Sequence, residues 1–67
     1  MRYRRIDWNE AKKRWCSNEG VIMLAPGWQP QEWNLPMRHS DMKDPDVTFE
    51  MIVQKCFGRT TCFWKEV

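Results

Sequence analysis

The chain has 67 residues, of which 42% are hydrophobic and 30% charged, with a net charge of +2. One small globular domain, residues 1–67, fits these values, and wholesale disorder does not. Its longest apolar run, Val21 to Ala25, is far too short to span a bilayer, and no apolar segment follows Met1-Arg2-Tyr3-Arg4-Arg5, so neither a signal peptide nor membrane contact is expected.

Three cysteines, an odd number without secretory features, argue against a disulfide scaffold and for a reducing cytoplasm. A chain this short buries only ~60% of the surface it exposes when unfolded, so its core needs large side chains. Five tryptophans provide them: Trp8, Trp15, Trp28, Trp33 and Trp64. Each aromatic buries ~150–250 Å² when enclosed. Charge is uneven: residues 1–18 carry +4, residues 19–50 carry −4 and residues 51–67 carry +2.

In chain order, Tyr3–Ile6 allows a short N-terminal strand. Asp7 then caps a helix over residues 8–18, with Glu10 placed for a capping box and Ile6 and Ala11 for a hydrophobic staple. Trp8, Ala11 and Trp15 share one face of it. Gly20 is read as its stop. Val21 to Ala25, closed by Pro26-Gly27, reads as a strand that is central in a small sheet or covered on both sides. Residues 28–45 hold Pro30, Pro36, Pro45, Trp28 and Trp33 without any period, and form a long irregular loop.

Asp44-Pro45-Asp46 supplies a cap, a first-turn proline and a first-turn acid for a second helix. Its apolar stripe is Phe49, Ile52, Val53, Cys56 and Phe57, and Gly58 ends it. Residues 59–64 are rich in β-branched and aromatic side chains and read as a strand, with Cys62 and Trp64 opposite Thr61 and Phe63. The fold class is α+β. The order is α-β-loop-α-β, with an N-terminal strand allowed, and the helices cover one face of a two- or three-stranded sheet. Trp8, Trp15 and Phe57 are expected in the helix-face core, and Trp64 on the last strand. Open sheet edges would permit a homodimer.

Chemistry-bearing groups are few. Cys16, His39, Cys56 and Cys62 give a zinc-type ligand count but lack the close pairs that zinc sites use. His39-Ser40-Asp41 holds triad residue types too close in sequence to converge, and Cys62 with His39 is a chance-level Cys–His combination. Asp41, Asp44, Asp46 and Glu50 lack the central glycine of a calcium loop. No metal, no cofactor and no enzymatic activity are therefore expected.

Two binding readings remain. In the first, Trp28, Trp33, Leu35, Met37, Arg38 and His39 form a protein-contact surface on the irregular loop, since Trp, Met and Arg are enriched at interface cores. Short accessory proteins of phages, plasmids or bacterial operons act in this way, docking on a larger partner such as a host nuclease or defence complex to regulate or inhibit it. The alternative is a nucleic-acid-binding regulator that uses Arg2, Arg4, Arg5, Lys12, Lys13 and Arg14 against phosphates. Against the first reading stands a simple competitor, in which the loop folds back and its tryptophans complete the core.

Overall fold

The computed structural model describes residues 2–67 and leaves only Met1 outside. Three strands and two helices alternate: β1 (Tyr3–Ile6), α1 (Trp8–Cys16), β2 (Ile22–Leu24), α2 (Phe49–Cys56) and β3 (Cys62–Glu66). Short 3₁₀ turns occupy His39–Asp41 and Gly58–Thr60. The sheet order is β1-β3-β2, with β3 antiparallel to both neighbours. The N-terminal strand is thus a full member of the sheet.

Register places Ile6 and Met23 on either side of Phe63. These three meet Ala11 and Trp15 of α1 and Phe49, Ile52 and Val53 of α2 in one buried cluster, so both helices lie on the same face. Trp15, Phe49 and Val21 are its largest fully buried side chains. Phe49 lies 5.4 Å from Phe63 and 5.9 Å from Trp15, centroid to centroid. Such aromatic pairs add ~0.5–1.5 kcal/mol beyond the area they bury.

The opposite face carries the row Arg5–Trp64–Ile22. Ile22 and Cys62 are buried there although no helix covers them. The chain between β2 and Met37 returns over this side and is held by a hydrogen bond from Tyr3 Oη to the Gln31 carbonyl at 3.3 Å. Arg5 sits over the Trp64 ring at 5.9 Å from its centroid.

Asp7 caps α1 by accepting from the Glu10 amide at 2.8 Å. The helix ends at Cys16, two residues short of the 8–18 reading, and Asn18 rather than Gly20 closes it. Asn18 takes φ 59°, and the Asn18 and Glu19 amides close back on the Trp15 and Arg14 carbonyls at 3.2 and 2.9 Å. That paired closure is a Schellman motif with asparagine in the left-handed position. Gly20, at φ +86°, is needed for a different reason: a Cβ there would lie 2.9 Å from Pro36 Cβ.

The start of α2 also differs from expectation. Asp44 accepts from the Asp46 amide at 2.9 Å, making a turn rather than a cap. Thr48 is the cap and accepts from the Met51 amide at 3.2 Å. At the other end the backbone leaves the helix at Phe57, φ −125°, which turns the ring outward to 46% exposure. Trp8 is likewise a rim residue, 41% exposed, with its ring edge-on to Phe49 at 4.9 Å.

β2 is an edge strand and β3 the central one. The burial of β2 comes from cover, not from position in the sheet: helices lie on one side, the returning loop on the other, and at its edge Val21 exchanges two backbone hydrogen bonds with Met37, 2.9 and 2.8 Å.

Candidate functional site

The long loop is irregular but tied down at intervals. Ala25-Pro26-Gly27-Trp28 forms a turn in which the Trp28 amide donates to the Ala25 carbonyl at 3.2 Å, with Gly27 at φ +86°. Proline second and a positive-φ glycine third is the pattern of a type II turn. Gln31 and Asn34 then close a second turn. The Gln31 amide donates to Asn34 Oδ1 at 2.7 Å, and the Asn34 amide donates to the Gln31 carbonyl at 2.9 Å. The Tyr3 bond fixes this turn to the sheet. Beyond it, the Pro36–Gly20 contact and the Met37–Val21 pair hold the end of the loop.

Between these ties three large apolar side chains face solvent. Trp28 is 67% exposed, Trp33 76% and Leu35 81%. The loop does not fold these tryptophans into the core. Instead the two indoles border a groove of about 380 Å³ whose floor includes Leu24 and whose walls include Gln29, Gln31 and Asn34. None of the residues lining it is charged.

The other three residues of the expected protein-contact set are placed differently. Met37 packs against the core cluster. Arg38 is exposed, its Nε 3.5 Å from Asp41 Oδ2. His39 lies edge-on to Trp15 at 4.9 Å, and its Nε2 is 3.0 Å from the Pro45 carbonyl. A carbonyl only accepts, so Nε2 carries the hydrogen. The structure therefore keeps Trp28, Trp33 and Leu35 as a displayed set and uses Met37 and His39 to hold the segment in place. Gln29, Gln31 and Asn34, interleaved with the tryptophans, escape the sequence reading. Their sequence signal is the Pro26-Gly27 turn, which brings Leu24 and the later amides to one groove.

The six basic residues do not gather on one surface. Arg4 and Arg5 are consecutive on β1 and point to opposite faces. Arg5 lies over Trp64. Arg14 donates to the Gly20 and Glu19 carbonyls at 3.2 and 3.0 Å, and so reinforces the end of α1. Lys12 pairs with Glu50 across the helices at 2.8 Å. The hydrogen bond between them, with their mutual attraction, raises the lysine's pKa and lowers the carboxylate's. Arg2, Arg4 and Lys13 make no side-chain hydrogen bond or ion pair among the described residues.

All three cysteines are free thiols. Cys16 is exposed, Cys62 is buried, and Cys56 lies with its Sγ 3.8 Å from Met23 Sδ. Burial pushes the Cys56 pKa up. Among the described residues no group of three or more His, Cys, Asp or Glu side chains is arranged to hold a metal ion. Nor is any helix among them long and apolar enough to cross a membrane. A second groove, about 440 Å³, separates α1 from the start of α2 and is flanked by the Lys12–Glu50 pair.

Compared with known proteins, the chain matches no family model, no curated protein and no solved structure.

Proposed function

We propose that this chain is a non-enzymatic interaction protein that docks on a larger protein and regulates or inhibits it. The observation that carries the reading is the display of Trp28, Trp33 and Leu35 on a loop anchored to the sheet. Exposed tryptophans lower solubility, and they act as contact residues where they border a groove. Anchoring matters because a surface already ordered loses less conformational entropy on binding. Two groups that carry catalysis elsewhere are engaged in structure here: His39 with the Pro45 carbonyl, and Asp41 with the Arg38 amide at 3.1 Å.

The free thiols fit a reducing cytoplasm. Self-pairing through β1 is disfavoured, because a two-fold antiparallel pairing centred on this strand would set Arg4 against Arg4, or Arg5 against Arg5, of the second copy.

The test is capture from source-cell lysate by the wild-type protein and by Trp28→Ala and Trp33→Ala. The tryptophan variants are expected to keep the wild-type melting temperature and to lose the captured protein. Variants that unfold would return the tryptophans to a structural role. Capture of nucleic acid alone, unaffected by either substitution, would replace the reading with the basic-residue alternative.

A further inference from the structure

The two edges of the sheet end differently. At β2, Val21 exchanges two backbone hydrogen bonds with Met37, and the edge is closed. At β1 the ladder stops. The Val67 amide donates to the Arg2 carbonyl at 3.0 Å. With the register Tyr3–Glu66 and Arg4–Lys65, this bond makes Arg2 and Arg4 the residues whose backbone faces β3. Alternation then turns the amide and carbonyl of Arg5 outward, and neither has a partner outside the ladder among the described residues.

The side chains along this edge are basic. Arg4 and Arg5 are both exposed. Arg4 stands directly opposite Lys65, a like-charge cross-strand pair, which is destabilising. Glu10 neutralises Lys65 at 2.8 Å, whereas Arg2, Arg4 and Arg5 have no acidic partner among the described residues. Arg5 lies over the Trp64 ring, a contact that keeps its positive charge.

We infer that the outer edge of β1 takes an acidic extended segment of a protein partner as a fourth strand of the three-stranded sheet. In strand addition, main-chain hydrogen bonds supply affinity and alternate side chains supply specificity. The outward Arg5 backbone meets the first requirement. The arginines meet the second through their placement on opposite faces of the sheet. A phosphate backbone tracks cations along one surface and would meet only one of the two. A strand added in the plane of the sheet alternates in the same way as β1. Two consecutive acidic residues on it therefore reach Arg4 on the helix side and Arg5 on the loop side. A second copy of β1 brings arginines to the same places and is repelled. The surface is separate from the tryptophan groove and goes beyond the reading built on it.

The experiment titrates ¹⁵N-labelled full-length protein with a capped hexapeptide that has two adjacent glutamates flanked by valine and threonine. The control peptide has glutamines in their place, and oligothymidine is the nucleic-acid probe. A saturable shift is expected in the Arg5 backbone amide. Its hydrogen exchange should be fast in the unbound protein and slow by about 10-fold or more at saturation, as for an amide newly paired. Arg4→Gln combined with Arg5→Gln should weaken binding about 10-fold at low salt, the scale of two opposite-charge cross-strand pairs. The glutamine peptide should lose as much against the wild type. Arg5→Pro removes the outward N–H and leaves the bonds to β3 in place, so it should abolish binding. If that variant unfolds, exchange at Arg5 in the wild type decides. An Arg5 amide already protected in the unbound protein, or one still unprotected at saturation, overturns the inference. Oligothymidine binding more tightly than the acidic peptide also overturns it and favours the nucleic-acid alternative. Trp28→Ala and Trp33→Ala should leave peptide binding unchanged, so failure here and failure of the tryptophan reading are separate results.

Discussion

Replacing Gly20 with alanine tests how the displayed loop is held. Two costs add. An L-residue at φ +86° carries backbone strain, roughly 1–2 kcal/mol for left-handed conformations. The new Cβ would also meet Pro36 Cβ at 2.9 Å, closer than real Cβ contacts come. Pro36 cannot swing aside as a flexible side chain would, because its ring is part of the backbone and the next residue is bonded to Val21 through both its N–H and its C=O. Overpacking of this kind costs about 1–3 kcal/mol. The expected loss is thus ~3 kcal/mol, taken from a total that for a domain of this size is ~3–10 kcal/mol.

At ~4–8 °C per kcal/mol, the melting temperature should fall by ~12–24 °C. Gly27→Ala is the matched control, since Gly27 has the same φ of +86° but nothing within 4 Å of an added Cβ. It should show the strain alone, about 1–2 kcal/mol. Thermal and urea unfolding followed by far-ultraviolet circular dichroism measures both. If the two variants melt within about 2 °C of each other, the Gly20–Pro36 contact is not a rigid tie, and something else holds the tryptophans in place.

Three further outcomes are expected. Thr48→Ala should cost ~1 kcal/mol as the loss of a helix cap, and Asp44→Ala clearly less, in urea denaturation; the reverse order would restore the helix start at Asp44. Thiol labelling at pH 7.5 under native conditions should modify Cys16 first, with Cys56 slowed by its raised pKa and Cys62 by burial, and mass mapping of the labelled peptides reads the order. The Lys12–Glu50 pair contributes between the ordinary pKa of the carboxylate, 4.5, and that of the lysine, 10.5. Because the Glu50 pKa is lowered on folding, its contribution is lost as pH falls below 4.5. Because the Lys12 pKa is raised, its contribution is lost as pH rises beyond 10.5. Both groups are solvent-exposed, so Glu50→Gln should change the melting profile little at neutral pH and less still in 1 M salt, as differential scanning calorimetry would show.

How legible each feature is in the sequence depends on how local it is. The Asp7 cap and the faces of both helices depend on side chains three or four positions apart, and they can be read directly. Thr48 is masked because Asp44-Pro45-Asp46 carries a stronger pattern of the same kind, although Thr48 stands directly before the first buried residue of the stripe. Gly20 resembles a helix stop because glycine is the usual left-handed residue; Asn18 fills that role, and the need for glycine comes from Pro36, sixteen residues away. The apolar run of β2 is read as either a central strand or one covered on both sides, and the structure takes the second: helices and the returning loop cover it, while Met37 closes its edge. For the site, Trp28 and Trp33 stand out by lacking a period. Their amide neighbours do not, because the groove exists only once the two turns close.

The sheet order has a consequence for synthesis. β1 and β2 never touch in the ladder; each is paired only with β3, which comes after both in the chain. A ribosome adds ~5–20 residues per second, so for a few seconds the emerging chain holds two strands that lack their common partner. During that interval Ile6, Ile22, Met23 and the loop tryptophans are open to water and to chaperones, and the sheet closes only after Cys62–Glu66 has left the exit tunnel. The sheet is therefore the last part of this domain to assemble, after both helices and the other two strands have been made. A chain cut before Cys62 retains its helix signals but has no strand on which to assemble them.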